Sequence, residues 1–260
     1  EHGCVYCYAR PTHAWLGLSP GLDFETKLTA KPDAPALLAR ELSARGYSAK
    51  TLAIGTNTDA YQPIEKKLRI MRGVLDVLER FAHPVGIVTK SALVLRDLDI
   101  LAPMAARGLA KVAISLTTLD PKLSRQMEPR AAAPGRRLDT IRRLAEAGVP
   151  VTVLVAPVIP AINDHEIERL LDAAWAAGAR EAGYVLLRLP LELKEIVQHW
   201  LIEHHPDKLR HVMSLVRQTR GGKDYDPTFG LRQRGTGPLA WLIGRRFEQA
   251  IERIGFNATR

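Results

Sequence analysis

Five short runs of β-branched and aliphatic residues recur along the chain: Thr51–Thr56, Val85–Thr89, Lys111–Leu116, Val151–Ala156 and Gly183–Leu187. Their near-continuous apolar character, without strict alternation, predicts strands covered on both faces, as in parallel sheets. Between them, apolar residues spaced three to four apart predict helices over Ala34–Arg45, Pro63–Phe81, Leu93–Arg107, Leu138–Ala147 and His165–Ala177. Pro63 suits a first helical turn, and Asn163-Asp164 reads as a capping pair. Gly108, Gly148 and Gly178 each follow a predicted helix, where a left-handed terminating residue is wanted. Alternating strands and helices of this kind define an α/β fold with a parallel sheet, wound open or around a barrel wall.

After Leu187 the strand signal stops. Helical patterns remain near Leu193–His204, Lys208–Thr219 and Leu239–Ile254, with the loop RGGKDYDPTFGLRQRGTGP between the last two. That loop is too long for a simple connector. The expected organisation is a barrel-like domain over residues 1–205 and a helical extension over 206–260 that packs on it. Charge is uneven too. The chain carries a net +9, and from Pro206 to Arg260 eleven Lys/Arg face five Asp/Glu. A basic segment of this kind suits a nucleic acid or simply a solvated surface. No apolar run approaches the roughly 18 residues needed to cross a bilayer, so no membrane partner is expected.

Ligands of parallel α/β folds collect at the C-terminal ends of the strands. Those ends read Gly55-Thr56-Asn57-Thr58-Asp59, Thr89-Lys90-Ser91, Ser115-Leu116-Thr117-Thr118 and Ala156-Pro157-Val158-Ile159-Pro160. Three are small and polar and one of these carries a lysine, which suits a polar small molecule. The same residue types also serve as caps and turn formers.

Both cysteines, Cys4 and Cys7, lie within EHGCVYCYARPTHAW at the start of the chain. With two cysteines there is no disulfide framework, which points to a reducing, cytoplasmic setting. A redox pair would want its first thiolate at a helix N-terminus, and Pro11 interrupts a helix begun at the cysteines. A structural zinc site needs four ligands, and no second CxxC exists; His2 and His13 would complete the set only in an unusual spacing. An iron–sulfur cluster, held by thiolates, is the third reading.

The residues that favour the third reading are CVYCYARPTHAWLG, IGTNTDAYQPIE, IVTKS and RGGKDYD. Together they resemble the spore photoproduct lyase-like branch of the radical S-adenosylmethionine (radical SAM) superfamily, often labelled DNA repair photolyase-like. EHGCVYC resembles the superfamily's C-x-x-x-C-x-x-C signature from its second residue on. The first cysteine, and likewise the first strand, are expected immediately upstream of Glu1. The resemblance implies a partial (β/α)6 TIM-like barrel, a [4Fe–4S] cluster and S-adenosylmethionine. It also implies a 5′-deoxyadenosyl radical that abstracts hydrogen from a substrate, and an electron donor such as flavodoxin or ferredoxin.

Residue by residue, the resemblance makes Cys4 and Cys7 cluster ligands and places Tyr6 near the adenine. Thr56, Asn57, Thr58 and Asp59 would meet the methionyl amino group, with Lys90 on the S-adenosylmethionine carboxylate. Ser115 would bond the ribose or carboxylate, Arg130 would be a second carboxylate partner, and Val158-Ile159-Pro160 would line the adenine site. No further cysteine is present to return a hydrogen atom to a product radical, which leaves Tyr8, Tyr61, Tyr184 and Tyr225 as relays. The expected substrate class includes damaged DNA or another nucleic acid. The alternative is a nucleic-acid-binding α/β protein whose cysteine pair is structural or vestigial.

Overall fold

The computed structural model describes residues 1–258. Its centre is a sheet of five strands, β1 (Leu52–Ile54), β2 (Val85–Thr89), β3 (Ala110–Ser115), β4 (Val151–Val158) and β5 (Glu181–Leu186). All neighbours pair in parallel and in chain order, β1 through β5. Each crossover carries helix. The longer helices are α1 (Ala34–Leu42), α2 (Ile70–Arg80), α3 (Leu98–Ala106), α4 (Pro134–Glu146) and α5 (Ile167–Ala176). After β5 come α6 (Leu193–His204), α7 (Leu209–Gln218) and α8 (Gly237–Ile254). None of the described helices is long and apolar enough to cross a membrane.

Burial differs from the expectation of strands covered on both faces. In β2, Val85, Ile87 and Thr89 are buried while Gly86 and Val88 are only half-buried, and β4 alternates likewise. The buried set packs under the helices. The other set lines the concave side, where a curved sheet with five strands leaves space that side chains do not fill.

The segment Pro63–Phe81 is not one helix. A short helix, Glu65–Leu68, ends at Arg69, whose φ is 55°. The reason is Glu65, whose carboxylate turns back to accept hydrogen bonds from the amides of Ile70 and Met71, each at 3.0 Å. It caps the next helix instead of continuing its own. Nor does Asn163 cap a helix. Its amide donates to the carbonyls of Thr117 and Pro157, and its oxygen accepts from Ile159 N, so it ties β4's exit to the β3 loop. Gly108, Gly148 and Gly178 do carry positive φ after their helices.

Two apolar cores result. The larger lies between the sheet and α2–α5, and α8 closes it with Ile243, Phe247 and Ala250. The smaller gathers Cys4, Tyr6, Met127 and Ile159 with Leu193, Val197, Trp200, Val212 and Val216 of α6 and α7. The cysteine segment is therefore bedded on helices from the far end of the chain. Arg220, fully buried, donates to the carbonyls of Leu186, Leu187 and Leu231, joining the exit of β5 to the last loop.

Beneath β2, the fully buried Asp97 accepts from Tyr61 Oη at 2.9 Å, from Arg96 Nε and Nη2 at 2.9 Å each, and from Arg72 at 3.5 Å. Removing that carboxylate leaves the buried Tyr61 hydroxyl without an acceptor and Arg96 with Glu65 as its remaining carboxylate. Asp97→Ala should therefore lower unfolding free energy by about 3–5 kcal/mol, as measured by urea denaturation.

Candidate active site at the strand ends

The C-terminal ends of the strands enclose a cavity of about 300 Å³. Its floor is Val88, Leu154 and Ala156 from the half-buried strand faces, and its roof is the N-terminal segment through Tyr8. Cys4 and Cys7 both line it, the first buried and the second half-buried, and both are free thiols. Burial pushes both thiols up, against the pull of the Lys90 charge. A metal that binds them must therefore displace their protons.

The cysteine segment has little regular structure, so side chains satisfy its backbone. The fully buried Arg10 donates from Nε to Cys4 O at 2.9 Å and from Nη2 to Gly3 O at 3.1 Å. Its other bonds go to the carbonyls of Pro20 and Gly21 and to Glu25 Oε1. Tyr6 is anchored through its hydroxyl, which donates to Glu128. Glu128 also accepts from Thr117 Oγ1 at 2.8 Å and from Arg137, which in turn donates to Ser115 O at 2.9 Å. One buried ion pair thus fixes the segment to the end of β3.

Lys90 faces the cavity from the end of β2, its Nζ 5.8 Å from the centre of the Tyr6 ring. Among the described residues its ammonium has no hydrogen-bond or ion-pair partner. Thr56, Asn57, Ser115 and Tyr6 line the same cavity, and Ser115 Oγ donates to Ala156 O at 3.1 Å. Gly55 lets the β1 loop cross β2 closely. Its φ is +82°, and a Cβ there would stand 2.0 Å from Val88 O.

Several expected residues lie elsewhere or are already engaged. Thr58 is exposed and lines a neighbouring groove with Ala60 and Gln62. Arg130 lies outside the cavity. It donates to Glu1 O at 2.8 Å and to Glu25 Oε2 at 2.6 Å, clamping the N-terminal segment from behind. Asp59 borders the cavity, yet its oxygens are already engaged by Thr89 Oγ1 at 2.7 Å and by the amides of Tyr61 and Lys90 at 2.8 Å. His2 Nε2 approaches it at 3.2 Å. Val158 and Ile159 are buried in the two cores. Tyr61 is buried on Asp97, whereas Tyr8 lines the cavity. Lining residues not singled out in the sequence include Glu1, Arg188 and Gln233, and His2, considered there only as a zinc ligand, lines it too. Arg188 lies just past β5, so reading the fifth strand end like the others would have found it.

The two thiols and the unpaired Lys90 form a donor set suited to a thiolate-bound cluster beside an anionic ligand. Among the described residues no group of three or more His, Cys, Asp or Glu is placed to hold a metal. Of the residues lining the cavity, Cys4 and Cys7 could offer two thiolate ligands to such a site.

Burial would raise the Asp59 carboxyl, but His2, the Lys90 charge and the Lys90 amide outweigh it and hold it at about 2. A depressed carboxyl stabilises the fold above its unfolded value of 3.8 and loses that contribution as pH falls towards 2. Asp59→Asn should cost about 2 kcal/mol at pH 7 and flatten the fall in stability between about pH 4 and 2, as read by urea denaturation across pH.

The chain matches the radical SAM superfamily over residues 1–174. It is 36% identical over 220 residues to uncharacterized proteins of Mycobacterium tuberculosis and Mycobacterium bovis, covering 84% of this chain. The chain spans 65% of the length of those relatives. An uncharacterized protein of Methanocaldococcus jannaschii is 27% identical over 166 residues, covering 64% of this chain and 60% of its own. Among solved structures, spore photoproduct lyase complexed with dinucleoside spore photoproduct superposes with a TM-score of 0.67 at 17% identity. The match covers 97% of this chain and 70% of that one. At that identity the likeness speaks for the fold, a radical SAM partial barrel. The chain belongs to the radical SAM superfamily.

Proposed function

We propose that this protein binds S-adenosylmethionine in the strand-end cavity, beside an iron–sulfur cluster held by Cys4 and Cys7, and acts on a nucleic acid. The observation that carries the reading is the meeting of two free thiols with an unpaired lysine in one enclosed cavity. When bound, the cluster and S-adenosylmethionine supply one-electron cleavage of a sulfonium and a carbon radical that takes hydrogen from the substrate.

The chain's own residues bind, orient and shield. Lys90, a compact cation with no internal partner, suits the S-adenosylmethionine carboxylate. Thr56 and Asn57 offer acceptors to its amino group, and Ser115 a hydroxyl to the ribose. Tyr6 places apolar surface at the same wall, with its hydroxyl turned away to Glu128. Asp59 acts indirectly by holding the Lys90 amide. The bedding of the cysteine segment on α6 and α7 keeps water from the thiols. A flavodoxin or ferredoxin suits the role of one-electron donor.

Nucleic acid is favoured by the rim. Arg232 stacks on Phe229, which is 86% exposed, with Arg232 5.1 Å from the ring centre, and Gln233 from the same segment lines the cavity. Exposed aromatics beside arginines are what stacked bases and phosphates require.

Lys90→Ala should lower S-adenosylmethionine affinity about tenfold in equilibrium dialysis while leaving iron content unchanged. Cys7→Ala in the same assay should lose the iron. Retained iron in that variant would defeat the cluster assignment. Affinity for single-stranded DNA should fall by at least tenfold between about 50 and 200 mM salt, read by fluorescence anisotropy, because phosphate neutralisation releases counterions. Salt-independent binding would defeat the nucleic-acid assignment.

A further inference from the structure

The cavity holds a second cation besides Lys90. Arg188 leaves the exit of β5 and lines the cavity, its guanidinium 4.5 Å from the centre of the Tyr8 ring. It makes no hydrogen bond and no ion pair among the described residues, and its Nε is buried without a partner. A guanidinium that is both half-buried and unpaired is unusual, because its five donors are costly to leave unsatisfied.

Among the described residues no carboxylate pairs with those donors. The acidic residues lining the cavity are Glu1 and Asp59. Glu1 accepts from the His2 amide, and Asp59 is engaged by Thr89, Tyr61 and Lys90. Arg220 stands near enough for its charge to be felt with that of Arg188; its Nη1 and Nη2 donate to three backbone carbonyls while its Nε has no partner. Asp226 is near enough to act on Arg220, but among the described residues no carboxylate forms an ion pair with either arginine.

The geometry also presents the arginine productively. Tyr8 is fixed by its hydroxyl, which donates to Thr56 O. Stacking on that ring covers one face of the guanidinium and leaves its N–H edge free for bidentate contact. Lys90 stands over the ring of Tyr6, whereas Arg188 stands over that of Tyr8. The two cations thus address different ligands.

We infer that Arg188, held on Tyr8, is the subsite for a phosphate group of the substrate, and so sets which part of that substrate enters the cavity. The inference rests on the proposed function only in assigning Lys90 to S-adenosylmethionine and the phosphate to a nucleic acid. Arg188 is a binding residue here, and Tyr8 a positioning residue that orients it.

The test is calorimetric titration of the iron-reconstituted protein with S-adenosylmethionine present. Three probes are used: a dinucleoside monophosphate, its uncharged methylphosphonate analogue, and inorganic pyrophosphate. The unaltered protein should bind the charged dinucleoside at least about tenfold more tightly than the neutral one. Arg188→Ala should abolish that preference, and Arg188→Lys should keep part of it. Unchanged S-adenosylmethionine affinity in both variants verifies that they are folded. Tyr8→Phe, which keeps the ring, should retain the preference, and Tyr8→Ala should weaken it. Binding of pyrophosphate that depends on Arg188, without binding of either dinucleoside, would keep the phosphate subsite and reject the nucleic acid. Equal affinity of the unaltered protein and Arg188→Ala for every charged probe would overturn the subsite.

Discussion

The five donors of Arg10 are what allow the cysteine segment to exist in its irregular form. A segment outside the sheet and without a long helix cannot satisfy its carbonyls internally, and those near a buried thiol cannot turn to water. Arg10 gives one guanidinium to four carbonyls, two on the cysteine side and two on the following turn, and to the carboxylate of Glu25. Glu25 is shared with Arg130, which reaches over to Glu1 O. Residues 1 to 25 are thereby held as one unit by charge-assisted bonds and not by ladder hydrogen bonding. The position of both thiols follows from that unit.

A second buried charge connects this unit to the sheet. Glu128 and Arg137 are each 1% exposed and pair with one another, so removing either would leave the other charge buried and uncompensated. Their pair is worth having less for stability than for register. Tyr6 and Thr117 donate to the same carboxylate, and Arg137 reaches the last residue of β3. Apolar residues of equal volume would fill the space without specifying which turn of the segment meets which strand. The floor of the cavity and its thiol-bearing wall are thus referenced to one another through a single carboxylate.

The strands were legible because β-branched runs bounded by turn residues have few alternatives, and β2 matches its expected bounds residue for residue. The wall residues Thr56, Lys90 and Ser115 were legible for a topological reason, since parallel strands deliver their C-terminal ends to one side. What sequence order hides is whether a polar group is already spent. Asp59 and Lys90 are similar as candidates on paper. In space, one is saturated by Thr89, Tyr61 and the Lys90 amide, while the ammonium of the other has no partner among the described residues. Arg130 fails as a cavity residue for the same reason, its donors being taken by the N-terminal segment. The helix break at Arg69 was equally hidden, because it depends on Glu65 preferring the amides ahead of it to solvent. Local pattern reports polarity and period. It does not report where each donor ends up.

That distinction also separates structural charges from functional ones across the whole site. Among the buried arginines, Arg10, Arg137 and Arg220 donate to carbonyls or carboxylates of the chain, and each joins two segments that sequence keeps apart. Lys90 and Arg188 do not, although both face the same enclosed space. A fold gains nothing in stability from leaving a cation desolvated and unpaired, since an apolar residue would fill the wall at lower cost. Partner-free cations in a cavity whose other charges are satisfied therefore mark where ligands, and not the chain, must complete the electrostatics. On this protein they mark two places, one beside the thiols and one beneath Tyr8, which is the arrangement an enzyme needs if a cofactor and a substrate are to share one chamber without competing for the same contact.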